Sequence, residues 1–261
     1  MKTTYKVIIS FCVGVALIAI GVSLGGLSQV QGGHIFGHFD WRWDAERIND
    51  VNFEGDKKTS EFDISIHNGT VKFIETDDDT VRVKAYNVYD GFEVYESGNT
   101  LVIDQAHYWK WFRDYDSSEI QIFVPRDLNI EVAKFNASAG SLKVYDLRSD
   151  YAKFDVGAGN LSVDGVKCQE MKLDVGMGNA NADNVTFTDE LKINVGMGNA
   201  DVELNGREVE YNYKMKVGLG TIKVGDEKTS GIGNDKSYRG LTDKLIDVNC
   251  GMGTVKVDME G

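Results

Sequence analysis

Apolar and polar residues alternate with period two over much of the chain, and the alternation is written in a repeating phrase. KLDVGMGNANA begins at Lys172 and KINVGMGNADV at Lys192. Related phrases are AKFNASAGSLKV from Ala133, AKFDVGAGNLSV from Ala152, YKMKVGLGTIKV from Tyr213 and IDVNCGMGTVKV from Ile246. A weaker copy, EFDISIHNGTVKF, starts at Glu61. Period two is the signature of a strand with one face inward. Leu173, Val175 and Met177 share that face; the next apolar positions, Ala180 and Ala182, are offset by one residue. The same slip falls between Ala158 and Leu161, Met197 and Ala200, Leu219 and Ile222, and Met252 and Val255. The pattern predicts a corner at each Gly-x-Gly, where glycine would supply positive φ. A second slip, Ala182 to Val185 and Val163 to Val166, predicts another corner.

Short strands separated by corners and recurring about every 20 residues describe a coil whose turns stack in parallel. The fold expected is all-β: a parallel β-helix or β-solenoid, taken as right-handed, with some antiparallel strands near its N-terminal part. Stacking places Phe135, Phe154, Leu173, Ile193, Met215 and Val248 in one inward column. Ala137, Val156, Val175, Val195, Val217 and Cys250 form another. Lys134, Lys153, Lys172 and Lys192 form an outward ladder beside Asn136, Asp155, Asp174 and Asn194. A solvated face is the plain reading of these ladders; a flat recognition strip for a polymer is the sharper one. Residues 80–124 read as longer antiparallel strands with turns at Asp90-Gly91 and Gly98-Asn99. Asp226–Lys244 reads as a polar, mobile loop.

A different pattern opens the chain. Val7–Leu27 carries no charge, follows Lys2 and Lys6, and is about 30 Å long as a helix, enough to cross a bilayer core. A cleaved signal peptide would have a shorter apolar core and a small-x-small site. The expected organisation is a cytoplasmic N-terminus (1–6), a transmembrane anchor (7–28), a juxtamembrane stalk (29–50) and a solenoid domain (51–261). Lysines on the short side place the domain outside the cytoplasm. The expected location is therefore the cell membrane, in single-pass form.

Charge and chemistry narrow the function. The formal net charge of −13 speaks against a nucleic-acid partner. Cys12, Cys168 and Cys250 show neither a disulfide framework nor metal-ligand spacing. His34 and His38 lack a third ligand, and ETDDD (Glu75–Asp79) reads as a solvated turn. No catalytic, cofactor-binding or metal-binding residue is assigned, and no cofactor is expected. One candidate contact loop stands out in AHYWKWFRDYD: Tyr108, Trp109, Trp111, Phe112 and Tyr115, interleaved with Lys110 and Arg113. Clustered aromatics suit a sugar polymer or a protein partner. They equally suit the cap that an open coil end needs.

The run EIQIFVPRDLNIEV, the DVGMGN copies and DVNCGMGTVKV resemble the bacterial putative-adhesin domain of unknown function, over about residues 51–261. The resemblance implies a β-helical extracytoplasmic domain, often behind one membrane helix, with no catalytic residues to carry over. Three readings follow. The first is a non-enzymatic, membrane-anchored envelope protein that acts as an adhesin or surface-interaction module, with an envelope polymer or membrane protein as partner. The second is an accessory of an envelope-stress response, a role suggested by some members of the family. The third is a polysaccharide-cleaving β-helix enzyme, which would need acids clustered in a cleft.

Overall fold

The computed structural model describes residues 47–55, 59–89, 91–105, 118–138 and 140–260. They belong to one compact unit, Ala45–Gly261. The anchor, residues 29–46 of the expected stalk and the aromatic loop 106–117 lie outside the described residues, while the last residues assigned to the stalk begin the strand Arg47–Glu54, which pairs antiparallel with Arg82–Tyr89. Among the described residues, no helix is long and apolar enough to cross a membrane.

Among the described residues the unit is all-β, with a single 3-10 turn at Glu208–Glu210. Its strands form two sheets, and the chain passes from one to the other at each Gly-x-Gly. Tyr151–Val156 in the first sheet is followed by Asn160–Asp164 in the second. The next strand, Lys167–Val175, returns to the first sheet and pairs in parallel with Tyr151–Val156 in unshifted register. Phe154 thus lies between Phe135 and Leu173, and Ile193 follows Leu173. Asn179–Val195 serves both sheets, its first residues pairing with Asn160–Asp164 and its last with Lys167–Val175.

Every member of the two expected columns is buried, none more than 3% exposed. The rings of Phe135 and Phe154 stack with centroids 5.0 Å apart. Cys250 takes a valine position and is buried, as the column predicts. Burial pushes its thiol pKa up, and pushes that of Cys168 up to about 12. The thiolate is the reactive form, so both thiols should resist alkylation at pH 8 until the domain is unfolded. Peptide mass spectrometry after brief iodoacetamide treatment, with and without denaturant, measures this.

The order of the turns differs from the order of the sequence. Leu245–Cys250 pairs with Asn179–Val195 on one side and with Asn212–Val217 on the other. Thr254–Glu260 likewise lies between Asn199–Asn205 and Thr221–Val224. The last copy of the phrase is therefore inserted between two earlier ones, and Val248 precedes Met215 in the stack. The other end does the same. Glu61–Ser65 and Gly69–Thr76 sit inside, while Thr100–Gln105 and Ser118–Pro125 form the outermost turn.

Both ends are closed by antiparallel strands. Arg82–Tyr89 pairs with Ser118–Pro125, and Phe92–Ser97 with Thr100–Gln105. The expected turn at Gly91 moves the chain from one sheet to the other. Thr100–Gln105 and Ser118–Pro125 are not simply antiparallel, because they also form a parallel turn of the coil. At the opposite end Glu227–Ser230 pairs with Thr221–Val224, and Asn234–Tyr238 with Asn212–Val217. The expected mobile loop at 226–244 thus contains two capping strands. Their polar side chains suit the job, since Asn234–Tyr238 is exposed throughout and a polar edge discourages further pairing.

Candidate functional site

The corner glycines explain the surface. None of the second glycines of the phrase (Gly159, Gly178, Gly198, Gly220, Gly253) has positive φ. They are buried and point into the coil, each tight against the turn before it. A Cβ on Gly178 would lie 2.1 Å from the Gly159 carbonyl oxygen, and one on Gly198 would lie 2.1 Å from that of Gly178. Close approach of stacked backbones, rather than backbone conformation, requires glycine here. Positive φ belongs to the second corner, at Asp146 (58°), Gly165 (78°) and Asn184 (54°).

With the second glycine filling the inward place, the residue before it turns out to solvent. Met177 is 49% exposed, Met197 37%, Met252 51% and Leu219 61%. This corrects the inward face assigned to Met177 by alternation alone. The parity count fails because the chain turns before Met177, at Gly176.

The outward faces carry ordered polar ladders. Asn179 donates to the Asn160 side chain at 3.1 Å, and Asn199 to Asn179 at 3.0 Å. Asn194 donates to Asp174 at 2.7 Å, and Asn249 to Asn194 at 3.1 Å. Lysines are paired within their own turns, Lys153 with Asp155 and Lys172 with Asp174, each at 2.5 Å. Like charges stacked in a column are thereby softened. The bond to Asp155 raises the Lys153 pKa. Partial burial pushes the Asp174 carboxyl up, but bonds from Lys172 and Asn194 outweigh it and hold the carboxyl below its ordinary range. Lys153 and Asp174 therefore stay ionised at neutral pH. A general acid needs a raised carboxyl pKa, and Asp174 has the opposite.

Asp174 also sets a pH dependence. Its folded pKa lies below the unfolded value of about 3.9, so its contribution to stability is present above that value and is lost as pH falls through the folded pKa. Between pH 5 and 3 the D174N variant should lose less stability than the parent, as read from urea midpoints at each pH.

The ETDDD segment is matched by arginines. Asp77 pairs with Arg126 at 2.8 Å, Glu75 with Arg148 at 3.4 Å, and Asp78 with Arg82. The hydrogen bond from Thr76, then Arg82, lowers the Asp78 pKa. Among the described residues, no three His, Cys, Asp or Glu side chains are grouped to hold a metal.

The candidate contact residues Tyr108, Trp109, Trp111, Phe112 and Tyr115 lie outside the described residues. Their flanks are placed. Gln105 accepts from the backbone N–H of His67 at 3.1 Å and donates to the Ser118 hydroxyl at 3.3 Å. Ser118 donates to the carbonyl of Asn87 at 3.2 Å. The segment therefore leaves and rejoins the outermost turn where inner turns have their short corner.

A further hollow of about 450 Å³ opens at the C-terminal end of the stack, lined by Asn212, Lys214, Ser237, Arg239, Thr242 and Asp243. Sequence reasoning missed it, because it depends on Asn234–Tyr238 folding back as a cap. Asn212 ties its wall together, donating to the carbonyl of Thr242 at 2.6 Å and accepting from Gly240 N–H at 3.0 Å.

The Toastrack DUF4097 family matches residues 59–231. The chain belongs to that family. Its match ends before Leu245–Cys250 and Thr254–Glu260, yet these strands lie inside the Toastrack stack, so the folded unit extends past the matched residues. Solved structures similar to this Toastrack chain include a putative cell adhesion protein from Clostridium sporogenes ATCC 15579. It is 13% identical with a TM-score of 0.44, covering 81% of this chain and 99% of that one. A putative adhesin from Bacteroides fragilis NCTC 9343 is 16% identical with a TM-score of 0.46, covering 80% and 95%. A putative adhesin from Parabacteroides distasonis ATCC 8503 is 14% identical with a TM-score of 0.38, covering 82% and 98%. No curated protein matches the chain.

Proposed function

We propose that this Toastrack protein is a non-enzymatic, membrane-anchored component of the cell envelope whose solenoid is a surface-interaction module for an envelope polymer. The observation that carries the reading is the pair of amide ladders. Asn160, Asn179 and Asn199 repeat one hydrogen-bonding group on adjacent turns, and the amides of Asn194 and Asn249 continue a second ladder from the Asp174 carboxylate. Adjacent turns lie about 4.8 Å apart. A fixed strip of donors and acceptors costs little conformational entropy on binding, and its regular step suits a repeating partner. The uncharged run Val7–Leu27 supports the anchor, with the domain outside and the aromatic segment 106–117 as a second contact.

The test is retention of the detergent-solubilised full chain on purified cell-wall sacculi. N160A/N179A/N199A should lower retention at least about tenfold, the loss expected when several hydrogen bonds to a partner disappear. Unchanged retention refutes the strip, and release of reducing ends from the glycan refutes the non-enzymatic reading. Alkaline carbonate extraction tests the anchor: the chain should stay with the membrane, and a variant lacking 7–28 should not.

A further inference from the structure

Methionine is usually buried, and Met171 and Met215 follow that rule. Met177, Met197 and Met252 break it together, at the same place in three turns. Met197 N–H donates to the carbonyl of Gly176 at 2.8 Å, and Met252 N–H to that of Gly196 at 2.8 Å. The three residues therefore occupy consecutive turns of one column, although Met252 is remote from Met197 in sequence. Each stands between two glycines, so no side chain adjacent in its own turn crowds the thioether. Beyond them the column continues with Ala158 at one end and Leu219 at the other, neither with a sulfur.

Three thioether side chains carried on adjacent turns, whose backbones are about 4.8 Å apart, form a donor set of defined chemistry. The sulfur is soft, neutral and polarisable, and the unbranched side chain has enough rotatable bonds for the outer two to lean toward the middle one. Thioethers favour copper(I) over harder divalent ions. The formal net charge of −13 draws cations to the protein. The two described thiols are buried, which keeps them from competing in the folded domain.

We propose that Met177, Met197 and Met252 form a surface site for a soft monovalent cation, copper(I). Binding is ligand exchange alone: three sulfur lone pairs replace the ligands of the incoming ion. No covalent bond in the protein breaks and no proton is released. Affinity should therefore be nearly flat from pH 7 to pH 5, where sites built of thiolate or imidazole weaken as their ligands protonate. The sequence pattern gave no metal signal, because the ligands are far apart along the chain and only the interleaving of the last turn makes them consecutive.

The experiment is an anaerobic titration of the full chain, in detergent, against the copper(I) complex of bicinchoninate. The parent should withdraw one equivalent of copper. M177L/M197L/M252L should withdraw at least about tenfold less, since three ligands of a class that selects this ion are gone. Leucine keeps the bulk and apolar character of the column and already stands there at Leu219, so the fold is retained. Equal uptake by parent and variant, or none by the parent, overturns the site. An independent readout uses silver(I) and methyl-labelled methionine. The ε-methyl NMR signals of Met177, Met197 and Met252 should shift while those of Met171 and Met215 stay. If the three signals do not move, the assignment is wrong.

Discussion

G253A lowers the stability of the domain by at least about 3 kcal/mol, the upper range for forcing a methyl group into a packed interior. Gly253 is buried at a corner, and a Cβ there would lie 1.7 Å from the carbonyl oxygen of Gly198 and 3.0 Å from Val195. The oxygen cannot step aside, because it accepts a hydrogen bond from Thr254 N–H at 3.2 Å. The next turn is bound in as well, since Gly220 lies against the Gly253 carbonyl. One added methyl group thus pushes apart three turns of the stack. The companion variant M252S changes the adjacent, half-exposed residue and should stay within about 0.5 kcal/mol of the parent. Urea midpoints for the two variants measure the contrast. An alanine at 253 that unfolds with the parent's midpoint would mean the corners are looser than the stacking requires.

F154A costs about 3–5 kcal/mol, the usual loss on truncating a buried aromatic residue. Phe154 is fully buried, with Phe135 stacked on one side and Leu173 in register on the other. Both neighbours are held by ladders of backbone hydrogen bonds, so the cavity cannot close by collapse. A solenoid is stabilised turn by turn through nearest-neighbour contacts. Damage at the middle of the stack should therefore appear in hydrogen exchange as loss of protection centred on 151–175, with the end turns less affected. Uniform loss across 61–260 would indicate an all-or-none unit.

The strands and their inward columns were legible in the sequence because alternation is a local signal, and each copy repeats it. Phe135, Phe154, Leu173 and Ile193 could be aligned without knowing anything else. The role of the corner glycines was not legible. Positive φ and close approach both demand glycine, and only the neighbouring turn distinguishes them. Met177 illustrates the same limit, since parity counted it inward while Gly178 occupies the inward place. The order of turns was hidden for a different reason. All copies present apolar residues of similar size, so nothing in the phrase from Ile246 says that it fits between Leu191 and Tyr213. What decides the order is the polar stretch 226–244, which folds back on both strands of the Tyr213 copy and closes its outer edge. Once that edge is taken, the last copy has only the inner edge to join. The pairing of lysine and carboxylate columns could be read from the sequence. For the depressed pKa of Asp174 only the Lys172 contribution could be read that way, since the bond from Asn194 comes from the next turn.

The interleaving is the claim on which the copper site, the C-terminal hollow and the paired caps all depend. Cross-linking tests it directly, in a background of C12S, C168A and C250V. Asn194 and Asn249 are partners in adjacent turns, whereas Lys216 is separated from Asn194 by the turn that carries Asn249. A short bifunctional thiol reagent should join N194C to N249C and leave N194C and K216C apart. Efficient joining of N194C to K216C, with N249C unreactive toward N194C, would show turns stacked in the order of the sequence and would contradict the structure described above.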